Sequence, residues 1–270
     1  MAPSDGTRAR PAGSTAGGVL VAAYGVATYL LFQVVFLYLI GFVTDADFWV
    51  GSVHVVGRSI DRGGVGDGTL TVAAVVIDTA LLALFAVQHS VMARATFKRW
   101  WTRIVPPSAE RSTYVLAATV CLVVLLVVWR PITDDVWKVS AQPWRALLTA
   151  LGLVGWAIVL LSTFLIDHSD LFGLRQVFAR LRGRQLVEHK FATPFFYRAV
   201  RHPIYFGFLM AFWATPRMTL GHLLFAAMTT GYILLAVRFE ERDLIRAFGE
   251  QYHDYRRRVP MLIPSLHGRP

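Results

Sequence analysis

Apolar residues fall into six runs that are separated by polar segments. The runs cover positions 19–43, 69–92, 113–129, 146–166, 204–214 and 219–237. The first four are long enough for a helix to cross about 30 Å of hydrocarbon, whereas the fifth is short. This pattern predicts an all-α polytopic membrane protein with five to six transmembrane helices.

A polar break separates the last two runs. Its sequence is Thr215-Pro216-Arg217-Met218. Because a proline within a polar interruption is typical of a turn, residues 203–237 are predicted to form a C-terminal helical hairpin. One long bent helix is the alternative.

The two ends of the chain are predicted to lie outside the hydrocarbon. The first 18 residues are rich in Ala, Gly, Ser and Pro, which predicts a disordered tail. Residues 19–264 are expected to form a single integral-membrane domain. After the hairpin, an apolar and aromatic stripe at helical spacing predicts an amphipathic helix on the cytoplasmic surface, although simple anchoring would explain it equally well. The stripe consists of Leu244, Phe248, Tyr252, Tyr255 and Val259.

Composition supports this class of protein. Hydrophobic residues make up 55% of the chain and charged residues 16%, which excludes an ordinary soluble domain. The net charge of +10 comes from arginines and lysines that alternate between loops, as membrane orientation requires, so nucleic-acid binding is not expected. The alternation predicts that both termini are cytoplasmic, and the preference for Arg favours a bacterial inner membrane. Cys121 is the only cysteine, which excludes an intramolecular disulfide.

Candidate chemistry begins at the entrance of the fifth run. Arg201-His202-Pro203 places a proline at a helix start, where free backbone N–H groups and two basic side chains suit an anionic group such as a carboxylate. An interfacial anchor is the alternative interpretation.

A second polar group ends the sixth run at nearly the same membrane depth. Arg238, Glu240 and Glu241 face the first group across the hairpin, and the carboxylates suit an amine or a ribose. Together the two groups predict a clamp for a zwitterion or a nucleotide. The alternative for the acidic pair is a solvated helix face.

Two histidines are further candidates. His168 follows the fourth run and is flanked by aspartates, including Asp170, so it could be a base held in one tautomer or half of a metal site. No further metal ligands adjoin it, and interfacial hydration is the alternative. His89 lies within the second run together with Asp78 and Gln88. These polar groups should face the bundle interior, where hydrogen bonding between helices would also explain them.

The C-terminal part resembles the integral-membrane S-adenosylmethionine methyltransferases, a group that includes isoprenylcysteine carboxyl methyltransferases and phospholipid N-methyltransferases. The resemblance covers about 190–264. Its motifs are Arg201–Gly207, Glu240–Leu244, Phe248–Tyr252, Tyr255 and Val259-Pro260.

A closer likeness, over about 84–264, is to the methanethiol S-methyltransferases, which make dimethyl sulfide. Its motifs are Gln88–Arg94, Glu110–Tyr114, His168, Asp170–Gln176 and Phe212–Pro216. Ser169 stands where a bulky aromatic residue is expected in these relatives.

The resemblance implies S-adenosyl-L-methionine as cofactor and a catalytic half at about 167–264. It places Arg201, His202, Tyr205 and Gly207 against the amino-acid or adenosine part of the cofactor, and the carboxylates of the sixth run on the complementary side. Gly207, which lacks a Cβ, would let the ligand approach one turn into the helix.

The implied reaction is methyl transfer in line from sulfur to sulfur, with methanethiol entering from the bilayer and the donor from the cytoplasm. A base or a positive charge would help to form the thiolate. His168 with Asp170 is the first candidate, His89 the second, and Arg201, by lowering the thiol pKa, the third. The alternatives are an isoprenylcysteine carboxylate or phospholipid amine as acceptor, or a transporter or non-enzymatic membrane subunit.

Overall fold

The computed structural model describes residues 15–46, 48–50, 53–62, 71–186 and 191–264. Most of the predicted N-terminal tail therefore lies outside the described residues. Its last part does not, because the first helix already begins at Thr15. The prediction of a tail up to residue 18 is wrong at this boundary, since Thr15, Ala16 and the glycines that follow continue the helix.

Five described helices are long and apolar enough to cross a membrane. They are α1 (Thr15–Val43), α2 (Thr71–Ala93), α4 (Glu110–Val128), α5 (Trp144–Ile166) and α9 (Leu220–Phe248). A sixth apolar helix, α8 (Pro203–Trp213), is shorter. Helices satisfy their backbone hydrogen bonds internally, which is required in lipid. The chain is therefore an integral membrane protein of the predicted all-α class.

The other elements are short and lie between these helices. They are β1 (Phe48–Val50), β2 (Val53–Val56), α3 (Ala95–Trp101), β3 (Asp135–Lys138), α6 (His168–Leu171), α7 (Leu174–Leu181), a 3-10 turn (Phe195–Arg198), β4 (Arg217–Thr219) and α10 (Glu250–Arg258).

The predicted C-terminal hairpin is confirmed, because α8 and α9 are separate helices. The break between them contains β4, which pairs antiparallel with β3. An 11-residue helix is only about 16 Å long, so the extended residues 214–219 complete the passage to the level of β3. The described residues thus form five long apolar helices and one short one, and the start of α1 and the end of α9 lie at the same end of the bundle.

We call that end the site face and the other end the opposite face. On the site face, the end of α2 approaches the end of α9 through Arg94 and Asp243 at 3.7 Å, and the start of α4 approaches α6 through Arg111 and Asp170 at 3.9 Å. On the opposite face, the backbone of Ile60 is held by the Trp129 indole N–H at 3.2 Å.

The predicted C-terminal amphipathic helix requires a correction. α9 continues through Leu244 to Phe248, and α10 is a separate helix of nine residues. Gly249 separates them with φ of +53°, a left-handed conformation that favours glycine. Tyr252 and Tyr255 are buried in the protein, so the aromatic stripe of α10 packs inward rather than against lipid.

Candidate active site on the site face

A buried ion cluster joins the start of α8 to the end of α9. The Arg201 Nε–H donates to Oε1 of Glu241 at 2.7 Å, and Nε of Arg256 lies 3.3 Å from Oε2 of the same carboxylate. The side chains of Arg201 and Glu241 are each only 9% exposed. Because an unpaired buried charge is costly, each of these two residues depends on the other.

The C-terminal segment Val259–Met261, which we call the strap, closes over this cluster. The backbone N–H groups of Arg201 and His202 donate to the carbonyls of Pro260 (2.9 Å) and Met261 (3.2 Å). Arg201 also donates through Nη1 to the Val259 carbonyl at 2.5 Å. The backbone N–H groups and the guanidinium that the sequence assigned to an anionic ligand are thus engaged within the protein.

The two glutamates of α9 differ in their surroundings. His202 is buried and lies between them, with Nε2 3.3 Å from Oε1 of Glu241 and Nδ1 3.7 Å from Oε2 of Glu240. The Tyr205 hydroxyl lies near Glu240 and interacts with it electrostatically. The Glu240 side chain is nevertheless 45% exposed. Glu240 is therefore the accessible carboxylate of the pair, whereas Glu241 completes a structural ion cluster.

Polar and aromatic side chains of α2, α4 and α9 meet around His89 beside this group, and we call this cluster the His89 pocket. Nε2 of His89 lies 2.7 Å from the Tyr114 hydroxyl, and the His89 ring stacks on Phe85 with centroids 5.3 Å apart. The Ser90 hydroxyl lies 3.2 Å from that of Tyr232. Nδ1 of His89 is buried and has no hydrogen-bond partner among the described residues. A buried polar atom without a partner requires an explanation, and a bound ligand or water would satisfy this one.

Tyr205 connects the two groups. Its hydroxyl interacts electrostatically with Glu240, Tyr232 and Tyr114. Sequence reasoning did not single out Tyr114 or Tyr232 as site residues. The motif that contains Tyr114 was a usable signal, but Tyr232 is one tyrosine in an apolar run, and its role depends on the packing of α9 against α2.

Gly207 and Arg238, which were predicted to contact the cofactor, lie apart from the group around Glu240. A Cβ on Gly207 would lie 2.7 Å from the Gly155 carbonyl oxygen of α5 and 2.9 Å from Val159. The close approach that Gly207 permits is thus to α5, and the ligand contact expected there stays a prediction. Arg238 is exposed on α9, and no hydrogen bond or ion pair joins it to Glu240 or Glu241 in the described part of the chain.

The predicted pairing of His168 with Asp170 is also corrected. Nε2 of His168 lies 2.9 Å from the Tyr29 hydroxyl, and Nδ1 lies 2.8 Å from Oγ1 of Thr163. Asp170 instead accepts from the Gln176 amide at 2.9 Å and lies 3.6 Å from Arg175.

The tautomer of His168 follows from these contacts. The Thr163 hydroxyl donates to the Leu160 carbonyl at 2.7 Å, so its oxygen accepts from Nδ1–H of His168. Nε2 then accepts from Tyr29. Burial lowers the pKa of His168, so the ring is neutral at neutral pH. Both of its nitrogens are hydrogen-bonded.

The tyrosines around α10 act as neutral groups. Burial raises the pKa of Tyr255 to about 12, and it also raises the pKa values of Tyr197 and Tyr252. The Tyr255 hydroxyl donates to the Tyr197 carbonyl at 2.5 Å. The Tyr252 hydroxyl is buried and has no partner among the described residues, so it is available to a ligand.

Among the described residues, no group of three His, Cys, Asp or Glu side chains is arranged to hold a metal ion.

The chain is similar to several named proteins. It is 53% identical over 251 residues to the methanethiol S-methyltransferase of Mycobacterium tuberculosis, covering 92% of this chain and 97% of that protein. It is 50% identical over 221 residues to the methanethiol S-methyltransferase of Pseudomonas deceptionensis, covering 82% and 83%. Nurim of Xenopus laevis is more distant, with 31% identity over 222 residues.

Neither a family model nor a solved structure matches the chain. Several relatives with this name are 50–53% identical to the chain over most of both lengths. This chain belongs to the methanethiol S-methyltransferase family.

Proposed function

We propose that this protein transfers a methyl group from S-adenosylmethionine to the sulfur of methanethiol, which gives dimethyl sulfide and S-adenosylhomocysteine. The names of the relatives support the reaction. The observation that carries the proposal is the juxtaposition, on one face of the membrane, of an accessible carboxylate at Glu240 and a buried unpartnered nitrogen at His89. The Glu240 carboxylate suits the methyl donor, and the His89 nitrogen suits a thiol.

The residues around Glu240 fit the donor. S-adenosylmethionine supplies an electrophilic methyl group on a sulfonium, and it also carries an amino acid and a ribose. Glu240 would accept from its ammonium or from ribose hydroxyls. The Tyr252 hydroxyl, which is buried without a partner, would bind a second polar group of the donor. His202 and Tyr205 would hold Glu240 in place.

The roles of Arg201 and Glu241 differ from those that the sequence suggested. Arg201 donates through Nε to Glu241 and through Nη1 to the backbone carbonyls of Arg256 and Val259. We propose that the pair fixes the strap and the start of α8, and so positions Glu240 and His202. Arg201 is then a positioning residue and does not lower the thiol pKa.

The His89 pocket fits a small thiol. With the Tyr114 hydroxyl accepting from Nε2–H, the lone pair of Nδ1 is free to take the thiol proton while the new sulfur–carbon bond forms. The Phe85 and Tyr232 rings exclude water from this nitrogen. His168 is the weaker candidate for the base, because both of its nitrogens already have hydroxyl partners.

We also propose the orientation in the membrane. The site face carries the loops richest in Arg and Lys, which marks the cytoplasmic side, so both ends of the chain would be cytoplasmic. The donor would reach Glu240 from the cytoplasm, and methanethiol would reach the His89 pocket from the bilayer of a bacterial inner membrane.

The test uses the full chain, purified in detergent and supplied with S-adenosylmethionine and methanethiol, with dimethyl sulfide measured by headspace gas chromatography. Glu240→Gln should weaken donor binding at least about tenfold, because it removes a charged hydrogen-bond acceptor. Asp243→Asn is the matched control. It neutralises another exposed carboxylate three residues further along α9 and should leave binding unchanged.

The outcomes separate the competing functions. A protein that binds the donor but makes no dimethyl sulfide has a different acceptor, such as an isoprenylcysteine or a phospholipid, and the acceptor part of the proposal is then wrong. A folded protein that binds no donor is not a methyltransferase, and a transporter or subunit role would take its place.

A further inference from the structure

Helix α1 is longer than the hydrocarbon requires. Its apolar part, Ala16–Val43, has 28 residues and is about 42 Å long, whereas the hydrocarbon core is about 30 Å thick. The difference matches the additional thickness of the headgroup layers. The first turns of α1 therefore lie in the headgroup layer of the site face.

Helix α7 packs along this part of α1. A Cβ on Gly25 would lie 2.8 Å from the Val177 side chain, and one on Gly18 would lie 3.3 Å from the Leu181 backbone. Val177 is fully buried by the contact, whereas Arg180 is exposed. The end of α7 at Leu181 thus lies beside the first turn of α1, at the depth of lipid headgroups, and the basic side chain of Arg180 is exposed there.

A cavity of about 600 Å³ lies between the end of α7 and the turn at Pro107-Ser108. Its lining includes Arg180, Arg182 and Arg184, and no acidic residue lines it among the residues that the structure describes. None of these arginines forms an ion pair with a described carboxylate, unlike Arg175 on the same helix, which lies 3.7 Å from Asp167.

Two residues of the cavity lining, Ser108 and Gln176, each carry a buried polar atom, Oγ and Oε1, that has no hydrogen-bond partner within the described ranges. The Ser108 hydroxyl is able to donate to a phosphate oxygen. Oε1 of Gln176 only accepts, so it requires a hydroxyl or another donor. A ligand that satisfies both atoms carries an anionic phosphate and a hydroxyl.

We propose that this cavity binds the headgroup of an anionic phospholipid, with the phosphate against the three arginines and a headgroup hydroxyl against Gln176. The position in the headgroup layer favours a lipid over a soluble phosphate ester. Basic pockets beside transmembrane helices commonly bind such headgroups. The site is separate from Glu240 and His89, and the proposal does not depend on the reaction.

The test measures lipid affinity of the full chain in detergent by native mass spectrometry, with phosphatidylglycerol and phosphatidylcholine as probes. The protein should prefer phosphatidylglycerol. The triple variant Arg180→Gln/Arg182→Gln/Arg184→Gln should bind it at least about tenfold more weakly, because each arginine near a charged lipid surface contributes about fivefold. The single variant Gln176→Leu should lose the preference for phosphatidylglycerol over phosphatidic acid, which lacks the glycerol hydroxyls.

The matched control removes three exposed arginines elsewhere on the same face, in Arg99→Gln/Arg103→Gln/Arg246→Gln, and should retain the affinity. If both triple variants lost affinity for phosphatidylglycerol equally, the effect would be one of general surface charge. That result would overturn the proposed lipid site. Binding of inorganic phosphate with no preference among lipids would overturn the lipid assignment.

Discussion

Each end of the helix bundle holds a polar histidine network, and the two networks differ in completeness. On the opposite face, His222 is fully buried, with Nε2 donating to the Phe212 carbonyl at 3.0 Å and Nδ1 3.4 Å from Asp61. The Thr219 hydroxyl completes that network by donating to Asp61 at 2.5 Å. On the site face, His89 has Tyr114 as a hydrogen-bond partner at Nε2, and its Nδ1 has none among the residues that the structure describes.

The difference distinguishes scaffold from chemistry. A complete buried network specifies one arrangement of the chain, because any other packing would leave a buried polar group without a partner. An incomplete network retains a polar atom without an internal partner, and in a folded protein that situation is expected at a binding site. We therefore assign stability to His222 and reactivity to His89, and substitutions at the two positions should have opposite effects.

The largest effect is expected for His89→Ala. Removal of a general base should lower the rate of dimethyl sulfide formation by about 10²–10⁴-fold, while the thermal unfolding temperature in detergent changes little. Tyr114→Phe keeps the base but loses the hydroxyl that orients it. Its rate of dimethyl sulfide formation should therefore lie between those of the wild type and His89→Ala. Retention of the wild-type rate in His89→Ala would remove this residue from the reaction.

His222→Ala should show the reverse pattern. It removes the imidazole from beside Asp61 and leaves the buried Phe212 carbonyl without that donor, which should lower the free energy of unfolding by about 2–5 kcal/mol. Thermal unfolding measures the loss, and the rate per folded molecule should equal that of the wild type. A folded, stable variant with a lost rate would contradict the assignment of His222 to the scaffold.

A smaller effect is expected where α5 and α8 make their closest approach. Gly207→Ala places a Cβ 2.7 Å from a backbone oxygen of α5 and should destabilise the protein by about 1–3 kcal/mol. Gly231→Ala is the matched control, since nothing lies within 4 Å of its Cβ and alanine favours the helix by about 0.5–1 kcal/mol. If Gly207→Ala were stable yet bound the donor poorly, the original ligand-contact interpretation would replace the packing role.

The long helices and the C-terminal hairpin were predictable from the sequence, because a helix in lipid must be apolar along its whole length. The short elements α3, α6 and α7 were not predicted. They lie in polar segments whose structure depends on contacts with other helices, such as that of Val177 with Gly25.

Within the site, proximity along the chain was a poor guide. The sequence placed Arg201, His202 and the glutamates of α9 together, and the structure does so as well. The sequence could not show that Glu240 is the accessible carboxylate and Glu241 the structural one, because the two residues differ only in burial. Asp170 is near His168 in sequence but bonds to Gln176, since the side chains of a short helix point in different directions.

The smallest effect concerns the second histidine of the site face. Burial lowers the pKa of His168 below its ordinary value of 6.5, so the unfolded chain takes up a proton at a higher pH than the folded protein does. The stability that neutral His168 provides is fully present above about pH 6.5 and decreases as the pH falls below that value. Thermal unfolding between pH 8 and pH 5 should therefore show a steeper loss for the wild type than for His168→Gln, which cannot titrate. Because the variant keeps all other titrating groups, the difference between the two curves isolates His168, and parallel curves would show that its hydroxyl partners hold the protonated ring as readily as the neutral one.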